Sequence, residues 1–134
     1  MRNNIIVTGA NGQLGSTIKK RHTDYKKYNF FFFTSKELDI TNYKELLSCF
    51  KELDPYAIIN CAAYTAVDKA ESDFIKADDV NNKGVKSIAE LAKEYSVKLI
   101  HFSTDYVFDG TNYKPYLESD KTSPRSIYWS SKLK

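Results

Sequence analysis

Short apolar runs alternate along the chain with helix-length polar and amphipathic stretches. Asn4–Thr8, Asn29–Thr34, Ala57–Cys61 and Lys98–Ser103 are rich in β-branched or aromatic residues and predict four strands. Helices are expected over Gln13–Arg21, Tyr43–Leu53 and Lys83–Tyr95, with a less sharply bounded one between Asp73 and Asn81. Within Lys83–Tyr95, Val85, Ile88, Leu91 and Ala92 fall three or four apart and form one apolar face. Thr41-Asn42 is a capping signal before Tyr43, and Pro55 breaks the chain ahead of the third strand. Phe30–Phe33 is apolar on every side, which suits a strand covered by helices on both faces and hence a parallel sheet. The rhythm is βαβ, the α/β class, and it contains no internal repeat. Ligands of such sheets sit beyond the carboxyl ends of the strands, so the residues that follow each strand are where chemistry is expected.

Composition narrows the field. A chain of 134 residues makes one domain, large enough for a real core and small for a two-domain enzyme. Its net charge of +3 is spread thinly over single and paired lysines such as Lys19-Lys20 and Lys26-Lys27, which argues against a nucleic-acid partner. Cys49 and Cys61 form no Cys-x-x-Cys pair and have no histidine-rich neighbourhood. They read as small buried residues, without a metal site or a disulfide framework. The longest apolar stretches are far too short to span a bilayer, and the N-terminus lacks a secretory core. A cytoplasmic protein with no membrane partner is expected.

The sharpest local signal is Gly9-Ala10-Asn11-Gly12-Gln13-Leu14-Gly15, which follows the first strand and opens the first helix. Gly9 permits a sharp reversal, Gly12 has no Cβ to keep the backbone away from a pyrophosphate, and Gly15 lets helix and strand pack closely. The helix N-terminus would aim unpaired N–H groups at an anion. Its spacing is Gly-x-x-Gly-x-x-Gly, and on its own the run is equally a plain glycine turn. After the third strand, Cys61–Ala63 are small enough for backbone to lie against a cofactor, although packing alone would select them too. After the fourth, Ser103-Thr104-Asp105 places hydroxyls and a carboxylate where turn chemistry does not require them.

Tyr128 and Lys132 lie four apart, so on a helix they share a face. A nearby ammonium favours the ionised phenol and makes it a usable proton donor close to neutrality. One such Tyr-x-x-x-Lys pair is also expected by chance in a chain this rich in both residues.

Taken together these segments resemble the extended short-chain dehydrogenase/reductases. The resemblance runs through the glycine turn, Leu38-Asp39-Ile40-Thr41-Asn42, Asn60–Glu71, Val80-Asn81, His101–Gly110, Pro115-Tyr116-Leu117-Glu118 and Tyr128 to Lys132. Its most specific pieces are Thr65-Ala66-Val67-Asp68-Lys69-Ala70-Glu71 and Ser103-Thr104-Asp105-Tyr106-Val107-Phe108. Sugar-nucleotide 4,6-dehydratases of this family carry an Asp-Glu pair after the Thr. Here Tyr106 follows Asp105, and the second carboxyl group needed for elimination is gone.

The resemblance implies a Rossmann-type doubly wound parallel sheet, with residues 1–134 forming the NAD(P)-binding domain and the family's substrate domain absent from the chain. It implies NADPH-dependent reduction of the C4 carbonyl of dTDP-6-deoxy-L-lyxo-4-hexulose to dTDP-L-rhamnose. Thr104, Tyr128 and Lys132 would be catalytic. Gly9, Asn11, Gly12, Gln13 and Leu14 would meet the pyrophosphate, Ser35, Asp39 and Ile40 the adenosine side, and Ala62, Ala63, Tyr64 and Thr65 the middle of the cofactor. Ser103, Tyr128 and Lys132 complete the cofactor contacts, Thr104 and Asp105 lie nearest the keto sugar, and no metal is implied. Thr34-Ser35-Lys36, with hydroxyls and a cation and no immediate acid, favours NADP(H) over NAD(H); a merely solvated loop would read the same way. Trp129 stands where the family has a small residue, and its bulk is expected to crowd the cofactor or redirect the helix start. A non-catalytic nucleotide-binding or regulatory interaction module is the alternative reading. Self-association into a homo-oligomer is the remaining expectation.

Overall fold

The structure is a computed structural model that describes residues 1–66 and 73–134, without the side chains of Ile127 and Tyr128. Val67–Glu71 of the most specific motif therefore lie outside the described residues. Four strands, β1 (Asn4–Thr8), β2 (Asn29–Phe33), β3 (Ala57–Asn60) and β4 (Lys98–His101), form one parallel sheet in the order β2-β1-β3-β4. Between them run α1 (Gln13–Arg21), α2 (Tyr43–Leu53), α3 (Phe74–Asp78) and α4 (Val85–Glu94), and α5 (Ile127–Leu133) follows a long segment after β4.

Strand alternation sorts the core into two layers. Ile6 and Ile58 face Leu46 and Phe50 of α2 and Ile88 and Leu91 of α4, all at most 1% exposed. Ile5, Val7 and Ala57 point the other way, where Ile18 of α1 and the half-buried Phe30, Phe32 and Ile59 pack on them. Each fully buried aliphatic or Phe side chain contributes on the order of 2 kcal/mol. Phe30–Phe33 are only half buried, against the expectation of a strand covered on both faces. β2 is an edge of the sheet, and the His22 ring lies edge-on to Phe30 and Phe32 at 5.8 and 5.2 Å. The cysteines are likewise free and half-buried rather than fully buried. Burial, with Glu52 adding to it, pushes the Cys49 thiol up to about 11, and burial also raises Cys61.

Helix bounds follow local chemistry closely. The Asn42 side chain accepts from the backbone N–H groups of Lys44 and Glu45 at the start of α2, and Asp54 in the left-handed region ends it. The two helices expected between Asp73 and Tyr95 are instead continuous: α3 passes through a π-helical turn, Asp79–Gly84, directly into α4. Among the described residues no helix is long and apolar enough to cross a membrane.

Candidate functional site

The β1–α1 junction is built by close backbone packing. Gly9 has φ +65°, and a Cβ there would stand 2.6 Å from the backbone nitrogen of Ala62, in the loop after β3. A Cβ on Gly15 would strike the Gly9 carbonyl. These contacts press turn, helix and β3 loop together. Gly12 is the N-cap of α1 in an extended conformation, with no side-chain cap and no acid in the first turn, so the helix presents its backbone N–H groups outward.

One cleft of about 780 Å³ opens at these strand ends. Gly9, Asn11, Gly12, Gln13 and Leu14 line it from the turn, Ser35, Asp39 and Ile40 from beyond β2, and Ala62, Ala63, Tyr64 and Thr65 from beyond β3. Cys61, small as expected beside Ala62 and Ala63, lines it too, as do Thr17, Leu38, Lys76 and Val80, which the sequence reading did not assign to the cofactor. Leu38, Ile40 and Val80 make an apolar wall. Lys76 lies one helical turn before Val80, and that i,i+4 spacing is the signal that could have found it. Lys36 is not among the lining residues. At the end of β2 the Glu37 carboxylate instead accepts from both the backbone N–H and the hydroxyl of Thr34 at 2.8 Å, which lowers its pKa. Asp39 accepts from the Thr41 hydroxyl and backbone N–H at 2.8 and 2.9 Å.

Two buried asparagines hold the cleft walls. Thr8 Oγ1 donates to Asn60 Oδ1 at 2.6 Å and the Ala62 backbone N–H donates to the same oxygen at 3.2 Å. With its oxygen so engaged, the Asn60 amide donates at 3.2 Å to His101 Nδ1, which must accept, so the imidazole is neutral with its proton on Nε2. Burial first, and then the Lys132 charge, hold the His101 pKa below its ordinary value. Asn81, in the π turn, accepts from the Tyr64 N–H at 3.0 Å and donates to the Tyr64 carbonyl at 3.1 Å and to Ser131 Oγ at 3.0 Å. It thereby links the β3 loop to α5.

Ser103, Thr104, Asp105 and Lys132 lie outside the cleft lining, past the end of β4. Ser103 is exposed in the loop. Thr104 caps a 3-10 turn, Asp105–Val107, by accepting from the Tyr106 N–H at 3.2 Å, and Asp105 is exposed beside it. Lys132 Nζ donates to the Phe102 carbonyl at 3.0 Å, and burial lowers its pKa. The backbone of Tyr128 lies in α5 one turn before Lys132; the phenol, and so its approach to Lys132, lies outside the described residues. Trp129 is stacked on Tyr106, turned toward the Asp105–Val107 segment. It does not line the cleft. Among the described residues no group of three His, Cys, Asp or Glu side chains is placed to hold a metal ion.

A parallel sheet with a glycine turn, an uncapped first helix and a cleft at its carboxyl ends is a Rossmann-type nucleotide-binding architecture. Within that class the chain belongs to the RmlD substrate binding domain family, which matches residues 1–134. It is 41% identical over 128 residues to the dTDP-4-dehydrorhamnose reductase of Aggregatibacter actinomycetemcomitans, covering 96% of this chain and 44% of that protein. The Escherichia coli K12 enzyme of the same name is 36% identical over 132 residues, covering 97% and 44%. The crystal structure of dTDP-4-dehydrorhamnose reductase from Bacillus anthracis in complex with NADP superposes with a TM-score of 0.94 at 38% identity, covering 99% of this chain and 47% of that one. UDP-glucose 4-epimerase from Brucella ovis, 22% identical with a TM-score of 0.85, shares the fold. The chain spans less than half the length of the curated relatives it matches.

Proposed function

We propose that residues 1–134 form the NAD(P)-binding domain of a dTDP-4-dehydrorhamnose reductase that uses NADPH, with NADH as the alternative cofactor. The observation that carries this reading is the single cleft lined by every expected cofactor contact from Gly9 to Thr65. The fit is physical. About 780 Å³ is in the range of cofactor sites. Backbone can approach closely at Gly12, and the uncapped N-terminus of α1 suits a diphosphate. Gly9, Asn11, Gly12, Gln13 and Leu14 would hold the pyrophosphate, Ser35, Asp39 and Ile40 the adenosine, and Ala62, Ala63, Tyr64 and Thr65 the middle. Ser103 joins them near the reacting end. Among the described residues that line the cleft, Lys76 is the cation available to the anionic cofactor.

Bound, NADPH supplies a hydride for the C4 carbonyl of the dTDP-keto sugar. Tyr128 holds the proton that the developing alkoxide takes, and Thr104 offers it a hydroxyl hydrogen bond. Lys132 favours the ionised Tyr128 once that proton has left, and steadies the nicotinamide ribose. Asp105 lies next to Thr104 on the sugar side.

Calorimetric titration tests the cofactor assignment: NADPH is expected to bind more tightly than NADH, and equal affinities or the reverse order overturn the preference. In a protein extended to the length of its relatives, Tyr128→Phe should abolish reduction of the keto sugar and spare NADPH binding, whereas Lys132→Met should weaken both. Near-normal turnover by the Phe variant would remove Tyr128 from the reaction.

A further inference from the structure

Two contacts among the described side chains join helix α5 to the segment after β4. One is the bond from Lys132 to the Phe102 carbonyl. The other is an aromatic pair, in which the Trp129 indole lies on the Tyr106 ring with centroids 4.7 Å apart and planes within 10° of parallel. Each ring is held at its backbone by a hydroxyl cap: the Tyr106 N–H donates to Thr104 Oγ1, and the Trp129 N–H to Ser126 Oγ, both at 3.2 Å. Tyr106 is 57% exposed, so the indole and not the core holds its ring. Tyr106 stands two residues after Thr104, and Trp129 directly follows Tyr128.

We propose that the Tyr106–Trp129 stack is a positioning clamp that fixes the Thr104 turn against the helix carrying Tyr128 and Lys132. The proposal rests on the reductase reading above. The physical reason is that the caps on either side are local: each orders its own turn and says nothing about the distance between the two segments. Flat stacking of two rigid rings does restrict that distance. A proton donor and a hydroxyl that must serve one developing oxygen need their separation held closely, because misplacement of about an ångström can cost on the order of a hundredfold in rate.

The chain contains a single tryptophan, so indole emission reports on this contact alone. In Tyr106→Leu the emission should shift to the red and acrylamide quenching should rise. In a protein extended to the length of its relatives, the kcat for the keto sugar should fall by about tenfold or more, while the NADPH dissociation constant changes by less than about threefold. Tyr106→Phe keeps the ring and should restore both emission and kcat. Emission and quenching unchanged in Tyr106→Leu would show that the rings do not stack in solution. Loss of the stack with kcat intact would overturn the positioning role. So would a fall in Tm of the size a core residue gives, which would make the pair a folding contact. A parent protein that neither binds NADPH nor reduces the keto sugar overturns the functional reading itself, and the role of the clamp with it, before any variant is made.

Discussion

The cleft at the end of β1 and the segment from Phe102 to Leu133 share one end of the sheet and are held in opposite ways. Cleft walls hang on buried polar groups, Thr8 at 0%, Asn60 at 1% and Asn81 at 3% exposure, whose bonds join residues far apart in sequence. Apart from Ser131, which takes the buried Asn81 bond, the later segment folds mostly on itself. Asp109 accepts from the Thr111 N–H, the Thr111 hydroxyl and the Tyr116 hydroxyl, and Tyr116 stacks on Phe108 at 4.3 Å, all between residues no more than eight apart and half-buried or exposed. Buried long-range bonds fail together with the sheet, whereas local ones nearer the surface can open alone. The cleft is thus preorganised by the core, and the proposed reacting groups depend on the local turn at Thr104 and on α5, which the Asn81–Ser131 bond ties to the core.

The comparison breaks most visibly at Gly15. A Cβ there meets the Gly9 carbonyl and, at 2.8 Å, the Ala10 Cα, both backbone, so Gly15→Ala should cost about 3 kcal/mol or more in urea denaturation. Gly12→Ala meets only the Gly9 carbonyl, at 3.3 Å, and should fold while binding NADPH more weakly. Equal destabilisation by the two would show that the turn is not packed as described.

Asn60→Ala comes next. It strands the Thr8 hydroxyl, the Ala62 N–H and the His101 ring nitrogen, and should cost about 2 kcal/mol with loss of cooperativity across the sheet. A loss confined to the 102–133 segment would contradict the core-held cleft. Ser126→Ala sharpens the other side: it removes the cap of α5 and should cost about 1 kcal/mol. Hydrogen exchange should quicken in α5 and leave β1 and β3 unchanged.

The smallest effect is electrostatic. Burial and the Lys132 charge hold the folded His101 pKa down, so the unfolded chain binds more protons below about pH 6.5, the ordinary histidine value. Stability should therefore rise with pH through that value and fall as acid approaches the lower folded pKa. His101→Gln should flatten the slope in a pH series of denaturation midpoints. An unchanged slope would mean that the ring is not held neutral by the Asn60 amide.

Gln13–Arg21 and Tyr43–Leu53 were legible residue for residue because their ends are local events: glycines before one, an Asn cap and a left-handed Asp54 around the other. The expected cofactor contacts from Gly9 to Thr65 were legible for a related reason, since they follow strand ends that apolar runs reveal. The helix through Asn81-Asn82-Lys83-Gly84 was not. Asn and Gly read locally as a break, and it takes the tie from Asn81 to the Tyr64 backbone, 17 residues away, to carry the helix through a π turn.

Sequence alone thus determined the strand and helix order and the turn and loop residues that line the cleft, because each depends on spacing of two to four residues along one element. Tertiary structure alone decided what those elements share. It left β2 at an edge with Phe30–Phe33 half exposed, kept Lys36 out of the cleft and brought Lys76 into it, joined Asn60 to His101, and gave Trp129 the ring of Tyr106 as its neighbour. Each of these pairs residues from different elements, whose meeting is set by the packing of the whole sheet and not by any local pattern.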